Sequence, residues 1–318
     1  MMTRRDFAFA GAGAAAGLAG CRTGAQAARG AAGGQDGEFS LNAGCHLRLR
    51  RKGADGTLKF FVIGDTHFGF ADGRDAEYSD FYRRMGQCPA PRDALSGALK
   101  RAAKAKADVV ALVGDIISFP TLANVETLAH DLEESGLDWL YTAGNHDWHF
   151  EGDGGSDIEQ RNRWIAKRLS RFYRGENPLC YSKTVKGVRF VMIDNSAYHI
   201  LPEQLRFWKS EVASGEPVVL CMHIPLWVEG FSICTCGNPA WGAAKDPYWK
   251  IERRERWAER ASPETFEFRE SVLAAENLVG VFTGHIHRLE VARKGRASMF
   301  TVPANRDGSC MEVTVEPA

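Results

Sequence analysis

The sequence has no excess of charge of either sign, because its 40 lysine and arginine residues equal its 40 aspartate and glutamate residues. A chain with this balance has no global field that would attract nucleic acid or an acidic membrane surface. No internal repeat is visible. The 318 residues, of which 44% are hydrophobic, are enough for one large α/β domain or two small ones with a sizeable core.

The N-terminal region lacks a hydrophobic run long enough to span a membrane. Its Ala/Gly-rich run lies between residues 3–7, Thr-Arg-Arg-Asp-Phe, which resemble a twin-arginine export signal, and residues 18–21, Leu-Ala-Gly-Cys, which resemble a bacterial lipobox. We therefore expect residues 1–21 to be an export signal, Cys21 to carry a lipid anchor, and the mature protein to be periplasmic or at the cell surface. Residues 22–44 are then expected to form a flexible tether. The alternative is a disordered Ala-rich leader with a chance cysteine.

Cysteine pairing is not determined by the sequence. Without Cys21, seven of the eight cysteines remain, and an odd number cannot all pair. Cys234 and Cys236 are separated by one residue, which is unfavourable for a bridge between them. They also lack the matching second pair that a zinc site would need.

From residue 45 onward, apolar runs alternate with segments of helical periodicity. The strands are predicted at residues 45–50, 58–63, 109–113, 137–141, 188–193, 218–221, 278–282, 299–302 and 311–315. The helices are predicted at residues 93–106, 122–132, 161–173, 202–212 and 263–276. This order predicts an α/β layered domain over residues 45–318.

Two segments interrupt this order. Residues 148–180 form an insert whose helix carries Arg161, Lys167, Arg168 and Arg171, so that these side chains either contact a phosphate or form a solvated polar face. Residues 227–262 are rich in tryptophan and tyrosine and lie between two polar clusters. We expect this segment either to cap the site and contact the leaving group of a substrate or to be a self-packed surface loop.

Polar clusters follow five of the apolar runs, and their side chains are the oxygen and nitrogen donors that a pair of divalent metals needs. In open α/β sheets, sites form beyond the carboxyl ends of the strands, so these clusters are expected to converge. The clusters supply Asp65, His67, Asp115, Asn145, His223, His285 and His287. Any one of these histidines alone would be read as an ordinary hydrogen-bonding residue. Five such clusters in order predict a metal site.

The ordered clusters resemble those of the calcineurin-like metallophosphoesterases. The family motifs, in one-letter code, are DxH, GD, GNH followed by D or E, a single H, and GHxH. The corresponding residues here are 65–67, 114–115, 144–147, 223 and 284–287. This resemblance covers roughly residues 58–302. It implies two packed mixed β-sheets flanked by helices, a four-layer α/β/β/α sandwich, and a catalytic domain over residues 45–318.

The resemblance also implies how the ligands are shared. One metal ion would be held by Asp65, His67, Asp115 and His287. The other would be held by Asp115, Asn145, His223 and His285, so that Asp115 bridges the two ions. Metal identity stays open among Mn, Fe, Zn and similar ions, since the donors suit several of them. Purple acid phosphatases carry a tyrosine three residues after the bridging aspartate to ligate ferric iron. Here that position is Ser118, so we expect no charge-transfer colour.

The implied activity is hydrolysis of phosphate mono- or diesters through a hydroxide that bridges two divalent metal ions. In this scheme His146 is not a ligand but a general acid, and Asp147 orients its ring. His149, which follows the motif closely, is the remaining histidine of interest. The alternative is a tethered protein that binds a phosphate ligand on the same scaffold without turnover. The natural substrate and the oligomeric state are not determined by the sequence.

Overall fold

The computed structural model describes residues 28–32, 37–51, 56–75, 90–150, 153–226, 228 and 262–318. The predicted export signal at residues 1–21 lies outside these ranges. So does the predicted cap at 227–262, apart from its residues 228 and 262. Among the helices of the described ranges, none has both the length and the apolar character needed to cross a membrane.

Thirteen strands lie within the described ranges. In chain order they are β1 (Ala28–Ala32), β2 (Gly37–Leu41), β3 (His46–Arg51), β4 (Leu58–Ile63), β5 (Val109–Leu112), β6 (Trp139–Tyr141), β7 (Cys180–Val185), β8 (Val188–Ile193), β9 (Val218–Cys221), β10 (Leu278–Thr283), β11 (Glu290–Lys294), β12 (Ala297–Thr301) and β13 (Met311–Pro317). They form a seven-stranded sheet in the order β1-β2-β3-β13-β4-β5-β6 and a six-stranded sheet in the order β11-β12-β10-β9-β8-β7.

Both sheets are mixed, with parallel strands at the part of each sheet that carries the predicted site. In the first sheet β4, β5 and β6 are parallel to one another. In the second sheet β8, β9, β10 and β12 are parallel. Antiparallel strands complete the sheets, as where β13 pairs with β4 and β7 with β8. The carboxyl ends of the parallel strands therefore share one edge in each sheet.

Helices flank the sheets on their outer faces. They are α1 (Ala90–Lys104), α2 (Leu122–Glu134), α3 (Asn145–Trp148), α4 (Asp157–Trp164), α5 (Pro202–Ala213) and α6 (Pro263–Ala274). A π-helix (Ile165–Leu169) and a 3₁₀-helix (Ser170–Tyr173) continue α4, and a second 3₁₀-helix covers Asn305–Asp307.

The two sheets pack face to face. The ring of Phe60 on β4 meets the rings of Phe190 on β8 and Phe282 on β10 edge-on, at centroid distances of 5.0 and 5.3 Å. Alternate residues of β8 point the other way, and Val191 belongs to a second core together with α5 and α6. A strand buried on both faces is apolar throughout, which is why these strands appear as continuous apolar runs. The predicted four-layer α/β/β/α arrangement is confirmed.

The two edge strands of the second sheet, β7 and β11, were not predicted. β7 and β8 form a hairpin through Lys186 and Gly187, which both have positive φ, as a two-residue turn of type I′ requires. β11 and β12 form a similar hairpin through residues 295–296. Edge strands carry polar side chains on their open face, so they lack the apolar run that identifies a central strand.

The predicted tether at residues 22–44 contains β1 and β2, which extend the first sheet. Phe39 and Leu41 alternate with the exposed Ser40 and are buried, and the Phe39 ring meets Phe300 of the second sheet edge-on at 5.4 Å. The expectation of a flexible tether is therefore wrong for these strands. The Gly/Ala-rich composition obscured a short period-two pattern.

The insert helix begins at Asp157, four residues earlier than predicted, because Ser156 and Glu159 form a capping box. The Ser156 hydroxyl accepts the Glu159 N–H at 3.3 Å, and the Glu159 carboxylate accepts the Ser156 N–H at 2.7 Å. Four apolar side chains of this segment are buried. They are Trp164, Ile165, Leu169 and Phe172.

The basic side chains of the insert have partners within the protein. Arg161 pairs with the buried Asp194, Arg168 with the buried Asp75, and Arg171 with Glu133. Lys167 lies 4.6 Å over the Trp164 ring. These contacts contradict the phosphate-binding interpretation. The solvated-face interpretation is also wrong for Arg161 and Arg168, whose side chains are only 5% and 7% exposed.

Removal of the Arg161 guanidinium should strongly destabilise the fold. The Arg161 and Asp194 side chains are 5% and 0% exposed, with Nη2 and Oδ2 2.6 Å apart. We expect Arg161→Ala to lower the free energy of unfolding by about 3–5 kcal/mol, because it leaves a buried carboxylate unpaired. Urea denaturation measures this. Arg163 on the same helix pairs with Asp153 but is 44% exposed, so Arg163→Ala should change the free energy by less than about 1 kcal/mol. Equal losses in the two variants would contradict the assignment.

Candidate metal centre

All seven predicted ligands lie on loops just beyond strand ends. Asp65 and His67 follow β4, Asp115 follows β5, and Asn145 begins α3 beyond β6. In the second sheet His223 follows β9, and His285 and His287 follow β10. Because these strands are parallel within each sheet and the sheets pack face to face, the loops converge on one place.

The histidines form two pairs. Nε2 of His67 lies 3.0 Å from Nε2 of His287, and Nε2 of His223 lies 3.2 Å from Nδ1 of His285. One carboxylate oxygen lies beside both pairs, because Oδ2 of Asp115 is 3.6 Å from Nε2 of His67 and 3.2 Å from Nε2 of His223. The Asp65 carboxylate lies beside the first pair, with Oδ1 3.4 Å from Nε2 of His287.

These donors therefore divide into two groups in which all ligand atoms lie within 4.8 Å of one another: Asp65 with His67 and His287, and Asp115 with His223 and His285. Each group contains three of the four ligands that the resemblance implies for one ion. A third such group contains His67, Asp115 and His146. His146 thus lies beside one donor of each of the other two groups. It is half-buried, and its ring centroid is 4.8 Å from that of His67.

The environment of the Asn145 side chain indicates whether a cation would fit among these donors. Its Oδ1 atom is buried and has no hydrogen-bond partner among the described residues. A buried carbonyl oxygen without a partner is costly, and a bound cation supplies the missing interaction. With the converging imidazole nitrogens and carboxylates, this oxygen makes the residues present suitable for divalent metal ions.

The backbone at the site is strained. Five of the predicted ligands have positive φ, a conformation that costs roughly 1–2 kcal/mol for a residue with a side chain. They are Asp65 (φ 55°), His67 (54°), Asp115 (53°), His285 (72°) and His287 (57°). Hydrogen bonds between the loops hold this geometry, since Asp65 N donates to Gly114 O at 3.0 Å and His67 N to Asp115 O at 2.9 Å. Strain of this kind collects where function requires a set side-chain direction.

Comparison with protein families identifies the chain. The family model described as calcineurin-like phosphoesterase matches residues 58–289, which include all seven converging donors. The chain belongs to the calcineurin-like phosphoesterase family. A comparison with curated protein sequences returns no match.

Two solved structures are similar to this chain in fold. A dimetal phosphatase from Danio rerio aligns over 79% of this chain and 88% of its own, with 15% identity and a TM-score of 0.51. A purple acid phosphatase from yellow lupin (Lupinus luteus) seeds aligns over 88% of this chain and 56% of its own, with 13% identity and a TM-score of 0.54. At the position of the ferric-iron tyrosine, the Ser118 hydroxyl donates to the His67 carbonyl at 2.7 Å.

Burial and neighbouring charged groups shift the pKa values of the site residues. Burial opposes a positive charge on His223, but the adjacent Asp115 carboxylate prevails and raises the pKa of His223 to about 10. Burial likewise favours the neutral acid at Asp115, yet His223 and His146 hold its pKa well below the usual range. Because a metal ligand must be unprotonated, a cation held by His223 would have to displace its proton.

Asp147 holds two loops of the site together. Its Oδ2 atom accepts the N–H groups of Gly144 at 2.7 Å and Asp115 at 2.9 Å, and its Oδ1 atom accepts the N–H of Ile117 at 3.0 Å. Burial, followed by the nearby Asp115 charge, raises the pKa of Asp147 to about 7. The carboxylate thus joins the Asp115 loop to the Asn145 loop. Its predicted orientation of the His146 ring stays a prediction.

Sequence analysis missed three polar residues that support the ligands. Asn195 accepts the His223 N–H at 3.3 Å, Ser196 accepts the Trp148 indole N–H at 2.8 Å, and Asn305 accepts the Thr66 hydroxyl at 2.9 Å. A signal was available for the first two, because residues 194–196 follow the apolar run of β8 just as the ligand clusters follow theirs. His149, half-buried beside Trp148, lies in none of the candidate ligand groups of the described residues.

Two glycines of the motifs leave room for the carboxylates. A Cβ atom on Gly144 would lie 2.2 Å from Oδ1 of Asp115, and one on Gly284 would lie 2.6 Å from Oδ2 of Asp65. We therefore expect Gly144→Ala to displace Asp115 and weaken metal binding by about 10–100-fold, the usual effect of disturbing the support of a ligand. Titration with Mn²⁺ against a competing chelator measures this.

Gly97 provides the matched control, because it lies within α1 with nothing within 4 Å of an added Cβ. Gly97→Ala should stabilise the helix slightly, by about 0.5–1 kcal/mol, and should leave metal affinity unchanged. Unaltered Mn²⁺ affinity in Gly144→Ala would show that Asp115 tolerates displacement and is not a ligand.

Proposed function

We propose that this protein is a phosphoesterase that depends on two divalent metal ions and hydrolyses phosphate mono- or diesters. The observation that carries this proposal is the position of Oδ2 of Asp115, beside His67 Nε2 at 3.6 Å and beside His223 Nε2 at 3.2 Å. A single carboxylate between two sets of nitrogen donors is the arrangement that a shared ligand of two ions requires.

The proposed ligands of one ion are Asp65, His67, Asp115 and His287, and those of the other are Asp115, Asn145, His223 and His285. When bound, the ions would supply Lewis acidity toward the phosphoryl oxygens and lower the pKa of a water. Hydrogen bonds within the protein hold the ligand side chains in position. The Nδ1–H of His223 donates to the Val113 carbonyl at 2.8 Å, which leaves Nε2 free to act as a ligand.

His146 is the proposed general acid. Its backbone N–H donates to Oδ1 of Asp115 at 2.7 Å, which fixes the residue beside the site while its side chain stays half-buried. The imidazolium would transfer a proton to the leaving oxygen of the ester, which otherwise departs as a strongly basic alkoxide. Asp147 contributes by holding together the loops of Asp115 and Asn145.

The substrate class is tested with p-nitrophenyl phosphate and bis-p-nitrophenyl phosphate. The protein is stripped of metal, reloaded with Mn²⁺, Zn²⁺ or Fe²⁺, and assayed on both esters. Faster turnover of one ester assigns a monoesterase or a diesterase. A metal-loaded protein that binds phosphate in calorimetry but turns over neither ester would overturn the proposal in favour of the non-catalytic binding protein.

We also propose that the phosphoesterase is exported and held to a membrane by a lipid on Cys21. Support comes from the twin-arginine-like residues 3–7 and the lipobox-like residues 18–21. Replacing Arg4 and Arg5 with lysine should retain the protein inside the cell, and Cys21→Ala should move it from the membrane fraction to the soluble exported fraction. Wild-type fractionation of both variants would contradict the proposal.

A further inference from the structure

The segment that carries His223 loses its pairing with β8 just before the ligand. β8 and β9 pair in parallel, and their last paired residues are Met192 and Cys221. Asn195 and His223 both lie two residues beyond the ends of these strands. The backbone ladder with β8 has therefore ended before His223, whose carbonyl still accepts the Gly284 N–H on the β10 side at 3.0 Å.

On the β8 side a side chain takes the place of the backbone ladder. Oδ1 of the fully buried Asn195 accepts the N–H groups of His223 at 3.3 Å and Ile224 at 3.0 Å. Its Nδ2 atom donates to the Ile224 carbonyl at 2.7 Å. The amide thus both donates to and accepts from the chain at residues 223–224, as a neighbouring strand would.

The other half of the site has an equivalent support. Asn305, also fully buried, accepts the Thr66 hydroxyl through Oδ1 at 2.9 Å, and its backbone N–H donates to Gly64 O at 2.9 Å. Asn305 thus holds the loop of Asp65 and His67, whereas Asn195 holds the loop of His223. Each buried asparagine contacts the loop of one ligand set directly.

We propose that Asn195 is a positioning residue that sets the affinity of the ion bound by Asp115, Asn145, His223 and His285, independently of the other ion. This inference rests on the proposed two-metal function. Loss of the support of a ligand typically weakens metal binding by about 10–100-fold. The effect should be confined to one ion because the Asn195 amide contacts neither Asp65, His67 nor His287.

The experiment is a Mn²⁺ titration by equilibrium dialysis, combined with electron paramagnetic resonance. Wild-type protein should bind two Mn²⁺ ions and show the spectrum of a magnetically coupled pair. Asn195→Ala should bind one ion with wild-type affinity and the other about 10–100-fold more weakly. At intermediate Mn²⁺ it should therefore show an isolated ion, and excess Mn²⁺ should restore the coupled spectrum. Asn305→Ala should weaken the opposite binding step.

Asn277 is the matched control. It is a buried asparagine immediately before β10, at the opposite end of this strand from His285 and His287. Its amide donates to the carbonyls of Val212 at 3.0 Å and Glu216 at 2.7 Å. Asn277→Ala should lower the melting temperature and leave both binding steps unchanged. If Asn195→Ala does not fold, Asn195→Asp keeps an acceptor oxygen but places a second oxygen against the Ile224 carbonyl, and the same selective weakening is expected.

The outcomes separate the two proposals. Wild-type protein that binds fewer than two ions would contradict the two-metal function. Wild-type protein with two ions and an Asn195 variant with two unaltered steps, or with both steps weakened equally, would overturn the positioning role and leave the function standing.

Discussion

Asp115→Asn should abolish metal-dependent hydrolysis and reduce bound metal from two ions per chain to one or none. Oδ2 of Asp115 lies beside His67 of one ligand set and His223 of the other, so one substitution removes charge from both. The neutral amide also places a donor group where a cation would bind. Loss of several kcal/mol of transition-state stabilisation corresponds to a decrease in kcat/KM of at least about 10³-fold. Elemental analysis and a nitrophenyl ester assay measure the two effects.

Asp307 provides the control for removal of one carboxylate. It is exposed and lies in the 3₁₀-helix Asn305–Asp307, outside the candidate ligand groups of the described residues. Asp307→Asn should keep both ions and near-normal turnover. Two ions and near-normal activity in Asp115→Asn would show that the assignment of the shared ligand is wrong.

The sequence predicted the centre of the fold well because the central strands are buried on both faces. Such strands are continuous apolar runs, and β4, β8 and β9 begin and end at the predicted residues or within one of them. Their loops carry the ligands, so the order of the motifs along the chain predicted which side chains converge. The distances between the converging side chains depend on the order of the strands in the sheets. The pattern of apolar residues does not determine that order.

The periphery was less predictable for a physical reason. β2 buries Phe39 and Leu41 only by extending an existing sheet, and β7 depends on a Lys-Gly turn with two positive φ values. Such short, half-polar segments gain their stability from tertiary pairing. Composition alone favoured a tether for the first and gave no signal for the second.

Support residues were missed because their partners are distant in sequence. Asp147 accepts N–H groups of residues 30 and 32 positions away, and Asn195 contacts residues 28 and 29 positions away. Motif reasoning considered only the sequence neighbour His146 as a partner of Asp147 and did not predict its hydrogen bonds to the loop of Asp115. The side chain that holds a ligand is determined by packing of the strands.

His146 is placed for either of two roles. Its ligand atom lies within 4.8 Å of those of His67 and Asp115, close enough for a metal ligand, while its half-buried side chain can also reach a substrate. The proposed general acid requires the second role. The two roles predict opposite results for bound metal, so substitution of His146 distinguishes them.

His146→Ala should keep both ions and lower hydrolysis of alkyl phosphate esters by about 10²–10⁴-fold, the usual contribution of a general acid. Hydrolysis of nitrophenyl esters should decrease much less, because nitrophenolate is a weak base and departs without a proton. His149→Ala, which removes the next nearby histidine, should affect neither substrate. The measurement is kcat on both classes of ester together with metal content.

The pattern across leaving groups identifies what His146 does. A general acid matters in proportion to the basicity of the leaving oxygen, so a plot of log kcat against leaving-group pKa should be steeper for His146→Ala than for the wild-type enzyme. An equal decrease for alkyl and nitrophenyl esters would instead indicate that His146 positions the phosphoryl group, since that contact is independent of the leaving oxygen. Loss of one ion from the variant would assign the imidazole to the metal centre, together with His67 and Asp115, and would exclude proton transfer as its main contribution.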